Sequence, residues 1–381
     1  MKNILFENVL KPYSNNTEGS IFLIGLILAT FLPIMIYFLA SNYSLIVIPV
    51  IVTFIGTLSG THVFASSYLL FQKSELTGVV NIKKNLIYVP ILIFFTNVIV
   101  ITSMPLFYVM IFKLFFIHYA MWHFGRQNLG VMAFASSITR NKPMEIFERK
   151  SIVYAVIAGM AGAYSVFSPA LTLNYEIFPF DLSFVEKLGK YSFYLGMLIY
   201  IFLLPAVLKH IIDNKDKYNF FNLSLYLGSV CFFLPIFIFT NPLFTLASYT
   251  TAHGLQYLVF LMWHSIYRTK NIIKKQDELV NQNHFLFSHY LFLVPIVFLL
   301  ISIFLALIIW QTAAGIQTEG DFTFNLIKLT QDEKTVFMIK LALSITSGLT
   351  MVHYWVDQYL WRFNNADRRS WLMTRFPFLI K

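Results

Sequence analysis

Long apolar runs separated by short polar stretches set the rhythm of this chain. At about 20 apolar residues per membrane crossing, the pattern predicts ten helices, near 20–40, 44–71, 86–103, 106–136, 151–170, 192–208, 219–240, 243–266, 285–310 and 336–361. The connections at 41–43, 103–105 and 241–242 are so short that they join neighbouring helices into antiparallel hairpins. The first run, Ile21 to Ala40, is longer than the core of a signal peptide and no small-residue cleavage site follows it, so it is expected to remain as a helix. No polar block of domain length, flexible linker or internal repeat interrupts the series. The expectation is an all-α, polytopic transmembrane helix bundle of about ten helices, forming a single domain over residues 1–381.

Composition agrees with that pattern: 57% of the residues are hydrophobic and only 12% charged, about half the charged share of an average soluble domain. An ordinary soluble class is thereby excluded. The one cysteine, Cys231, lies in an apolar run and rules out an intrachain disulfide or a thiolate metal cluster from a single chain. The net charge of +10 does not point to nucleic acid, because the basic residues are dispersed among alternate short loops. With the ten spans in place, 21 Lys and Arg fall on one side and four, Lys187, Lys190, Lys328 and Lys334, on the other. By the positive-inside rule both termini are cytoplasmic, and the lipid bilayer of the inner membrane is the expected partner. The outer segments 171–191 and 311–335 are expected to be interfacial caps. Three basic residues, Lys113, Arg126 and Lys340, remain inside spans.

Chemistry enters with FIHYAMWHFGRQNLG, residues 116–130, where His118, His123, Arg126, Gln127 and Asn128 interrupt an apolar helix. Ionisable groups at membrane depth cost about 2.5–3.5 kcal/mol each on insertion scales and face a bundle interior, a partner or a water-filled cavity. Seven of the nine histidines fall in predicted spans: His62, His118, His123, His253, His264, His289 and His353. At a rise of about 1.5 Å per residue, His62, His253 and His353 stand about 13–21 Å above the inner helix ends. The long helix carrying His123 brings that residue towards the same level. His264 and His289 are expected near the inner membrane surface.

Local spacing selects neighbours. His353 and Asp357 are four apart and share a helix face, which suits a carboxylate that orients or joins an imidazole ligand. His253 has Gln256 and Tyr257 on its own face. His118 and His123, five apart, diverge by about 140° on an ideal helix, so they do not address one ion side by side; His118 remains a further candidate donor. The site expected is a metal held by His62, His123, His253 and His353 with Asp357, while Tyr257, Gln256 and Arg126 position a substrate or bound oxygen species. Imidazole suits iron, copper, nickel or zinc, and an all-His or His-plus-carboxylate site with open positions suits non-haem iron. Haem between paired histidines and a transporter or channel with a His/Arg/Asp polar pathway are the alternatives. Each lone histidine, taken by itself, reads more often as a hydrogen bonder between helices than as a ligand.

Four stretches, THVFASS at His62, WHFGRQN at His123, AHGLQYL at His253 and VHYWVDQYLWR at His353 and Asp357, occur in the order of motifs in the Brp/Blh family of bacterial and archaeal membrane proteins. The chain resembles that family, which is associated with oxidative cleavage of β-carotene to retinal. The resemblance implies an iron centre held by histidines from several helices, a membrane oxygenase or oxidoreductase activity and a hydrophobic, carotenoid- or lipid-like small-molecule substrate. Val63 and Ser66 stand where the family's first motif carries Gly and Asp, and Gln127 or Asn128 where an Asp follows His-Phe-Gly. HYAMWH also fits the first box of the membrane desaturases, but their other boxes need adjacent histidine pairs, and none occurs.

Overall fold

The computed structural model describes residues 17–40, 62–63, 76–77, 79–140, 142–172, 183–239, 242–276, 333–361 and 365–379. Regular structure among these residues is helical throughout. In chain order the main helices are α1 (Thr17–Ala40), α2 (Lys84–Ser103, with a π-helical start at Lys84–Tyr88), α3 (Leu106–Arg140), α4 (Ile146–Thr172), α5 (Ser183–Asp213), α6 (Phe220–Cys231), α7 (Pro242–Gln276), α8 (Glu333–Leu360) and α9 (Ala366–Arg375). Three of them, over Thr17–Leu39, Lys84–Ser103 and Lys187–Asp213, are long and apolar enough to cross a membrane, the signature of a membrane protein. The predicted spans 44–71 and 285–310 lie outside the described residues, except that His62 and Val63 are helical.

One expectation is corrected. The run 219–240 is not one helix, because α6 ends at Cys231 and a single turn resumes at Pro235–Ile238. Pro235 has no N–H to offer the Cys231 carbonyl, which takes its hydrogen bond from the Leu234 amide at 3.0 Å instead. In the tail, Asn365 caps α9 by accepting from the Arg368 amide at 2.8 Å. The apolar edge of α9 buries Leu372 under the bundle, and the residues just beyond it bury Phe376 and Phe378. The outer segment 171–191 is partly helical as well, since α4 runs to Thr172 and α5 begins at Ser183.

Packing pairs α4 with α5, α1 with α7, and α2 with α8, while α3 lies against α4 and α6. Small residues let backbones approach where apolar area alone does not select a partner, since lipid tails are as apolar as leucine. A Cβ on Gly196 of α5 would stand 2.5 Å from the Ala158 carbonyl oxygen of α4, and Ser192 donates to the Ala161 carbonyl one turn away at 2.7 Å. Between α2 and α8 the glue is polar: buried Asn97 donates to the Ser344 carbonyl and, at 3.1 Å, to Ser347 Oγ. Lys340, one of the three basic residues within predicted spans, donates to the Met104 carbonyl in the α2–α3 turn. Its charge is thus spent on a helix end. Aromatic rings fill the inner core, where Phe22, Phe134, Phe260, Trp263, Phe376 and Phe378 pack edge to face or tilted at centroid distances of 4.9–6.2 Å.

Candidate metal centre

Four of the histidines, from the 62–63 segment, α3, α7 and α8, meet in the middle of the bundle. Ring centres lie 4.7 Å apart for His62–His253 and for His62–His353, 5.1 Å for His123–His253, 5.4 Å for His123–His353 and 6.4 Å for His253–His353. His62, His253 and His353 are buried, and ring nitrogens of these three lie within 4.8 Å of one another. A second set of donors with the same mutual reach is His123, His353 and Asp357. His353 belongs to both.

Helix periodicity delivers these side chains. Asp357 follows His353 by four residues, and its Oδ2 lies 3.3 Å from His353 Nε2 and 3.9 Å from His123 Nε2. Tyr257 follows His253 by four and donates its hydroxyl to Asp357 Oδ1 at 2.9 Å, while accepting from Trp361 Nε1 at 2.9 Å. The Tyr257 ring stands 5.5 Å from those of His62 and His353. One carboxylate therefore faces two imidazoles with one oxygen and is anchored by a phenol with the other.

Gln256 occupies a different place from the one its spacing suggests. Its amide accepts from Gln127 Nε2 at 2.9 Å and donates to Thr30 Oγ1 at 2.8 Å and to Asn128 Oδ1 at 3.2 Å. Gln127 also donates to the His253 carbonyl at 2.9 Å. Gln127 sits four residues after His123 and Gln256 three after His253, so this amide clasp fixes α3 against α7 one turn from the imidazoles. Gln256 holds helices together; it does not line the donor set.

The remaining candidates separate. His118 lies apart from the cluster with its ring 6.5 Å from Tyr164, as the angular offset from His123 requires. Arg126 is exposed. His264 is fully buried, with its ring 6.4 and 5.6 Å from those of Trp361 and Trp371. His289 lies outside the described residues. Sequence reasoning missed Trp361 and Tyr354. Trp361 was signalled by its spacing of four from Asp357. Tyr354, buried and stacked on His123 at 4.1 Å and 24°, was hidden among 68 aromatic residues read as general packing.

Neither ring nitrogen of His253 or of His353, nor Nε2 of His123, has a hydrogen-bond partner among the described residues. A buried polar group left unsatisfied costs about 1–3 kcal/mol, and imidazole nitrogens gathered in one spot have the chemistry of metal ligands. Compared with known protein families, curated proteins and solved structures, the chain matches none.

Proposed function

We propose that His62, His123, His253 and His353 bind one metal ion, iron without haem, and that the protein is a membrane-embedded oxygenase or oxidoreductase acting on a hydrophobic, carotenoid- or lipid-like substrate. The observation that carries this reading is the spacing of the four rings. A metal–nitrogen bond of about 2.1 Å puts an imidazole centre about 3.2 Å from the ion, so rings at right angles stand about 4.5 Å apart and opposite rings about 6.4 Å apart. The four adjacent pairs are at 4.7–5.4 Å and the His253–His353 pair at 6.4 Å. Asp357 is close enough to contribute an oxygen or to orient His353. Haem fits less well, because His62 and His123 fill the flanks between His253 and His353 where a macrocycle would lie. Imidazole-bound iron with an open position supplies dioxygen chemistry when present. The motif order shared with the Brp/Blh family points the same way.

Within this reading the chain spans the cytoplasmic membrane ten times with both termini inside, supported by the 21 to 4 division of Lys and Arg. The test of function is metal analysis of protein purified in detergent. Iron at about one per chain in the wild type, lost in His253→Ala and in His353→Ala, is the expected result; equal metal in all three proteins overturns the proposal. Reporter fusions at the two termini test the topology.

A further inference from the structure

We infer that the substrate of this site is a long-chain fatty-acid carboxylate, held with its chain along the outer face of α3 and its head on Arg126. This deepens the proposed function and rests on it. Phe115, Tyr119, Trp122 and Arg126 recur at four, three and four residues, one stripe of the helix. All four are exposed, Phe115 at 71%, Tyr119 at 40% and Trp122 at 42%. His123 shares the edge of this stripe, and of the four clustered imidazoles its ring is the one with appreciable access, 14%, whereas His62, His253 and His353 are at 2% or less. The aromatic stripe therefore leads to the open side of the metal centre.

Arg126 ends that stripe and has no hydrogen bond or ion pair among the described residues. It lies 14 residues before Arg140, about 21 Å along the helix, and so away from the C-terminal turns of α3. A planar carboxylate satisfies such a guanidinium through two parallel hydrogen bonds. Arg126 is the only Lys or Arg between Leu114 and Thr139. One fixed positive charge matches a single negative head, and aromatic faces match an acyl chain. A neutral polyene would use the stripe and leave the arginine without a counter-ion.

The experiment uses the full chain in nanodiscs of zwitterionic lipid and reads quenching of tryptophan fluorescence by 9,10-dibromostearic acid and by the corresponding dibromo alcohol. The acid is expected to quench at concentrations at least tenfold lower than the alcohol. Arg126→Gln should erase that difference, Arg126→Lys should keep part of it, and Trp122→Phe should reduce the quenched amplitude. Equal quenching by acid and alcohol in the wild type overturns the inference whatever the variants do, and so does displacement of the acid by equimolar phosphatidylglycerol, which would reassign the face to bulk anionic lipid. Iron measured on the same wild-type preparation separates the two readings. Iron-loaded protein that does not prefer the acid sinks this inference alone, and acid-selective protein that never holds a metal sinks the catalyst and leaves a lipid-binding face.

Discussion

Asp357 illustrates how much a single side chain can carry here. One oxygen faces two imidazoles while the other is fixed by Tyr257, whose own oxygen is fixed by Trp361. Removing such a carboxylate typically lowers metal affinity by about 10–100-fold. On the proposed reading of the site, Asp357→Asn is expected to fall in that range when bound iron is withdrawn by a competing chelator. Tyr257→Phe, which keeps the carboxylate and removes only its anchor, should lose less than about tenfold. If the two variants lose affinity equally, Asp357 acts through Tyr257 rather than on the imidazoles. The pairing of His353 with Asp357 was legible in the sequence because four residues is one helical turn, and so was the separation of His118 from His123. The role of Gln256 was not. On an ideal helix it shares a face with His253, yet its partners Thr30, Gln127 and Asn128 come from two other helices, and no spacing within one helix reveals what stands opposite.

Helices show the same division between local and distant causes. Apolar runs marked α1, α2, α3 and α8 to within a few residues, because each is a predominantly hydrophobic stretch set off from its neighbours by turn residues. The break before Pro235 and the cap at Asn365 were also written locally, in a missing donor and in a side-chain acceptor, but were outweighed by the hydropathy of the window around them. Which helices touch was illegible, since contact depends on where small residues lie on facing surfaces. Gly125 of α3 is one such place: a Cβ there would overlap the Val156 side chain of α4. Gly125→Ala is expected to destabilise the protein by about 1–3 kcal/mol, the usual cost of overpacking, and Val156→Ala should recover most of the loss in the double variant. Thermal unfolding followed by circular dichroism in detergent checks both. Gly196→Ala provides the contrast, because the obstacle there is the Ala158 backbone oxygen, which no side-chain substitution removes.

At the scale of the molecule, the α3–α4 connection is locked by charge where it leaves the bundle. Glu148 is buried and takes Arg140 through two hydrogen bonds of 2.9 and 2.8 Å and the Glu145 amide at 2.8 Å, so one carboxylate both pairs an arginine and caps α4. Breaking a buried pair from one side leaves its partner uncompensated and costs about 3–5 kcal/mol. Glu148→Gln is expected near the lower end of that range, because Arg140 keeps its bond to Ser136 at 2.6 Å. Glu145, close by and partly exposed, pairs Lys217 at 2.9 Å, an interaction worth only a few tenths of a kcal/mol once solvent screening is allowed for. The two carboxylates should therefore differ sharply when each is replaced by its amide and unfolding is compared at neutral pH.

Acidification tests the same lock by a different route. Glu145 is held below its ordinary value of 4.5 chiefly by the Lys217 hydrogen bond, with Lys217, His210 and Arg140 also favouring its charged form. A carboxylate depressed in the folded state stabilises the fold above its unfolded pKa, and the contribution is lost as the pH falls through the folded value. Stability should therefore begin to decline as the pH drops below about 4.5. Lys217→Met should make that decline shallower by a few tenths of a kcal/mol while lowering stability slightly at pH 7. A decline of unchanged steepness in Lys217→Met would show that the acid-sensitive contact lies elsewhere in the protein. The α3–α4 connection would then owe its geometry to the buried Arg140–Glu148 pair alone, and the position of His123, which α3 carries 17 residues before Arg140, would depend on that one ion pair rather than on two.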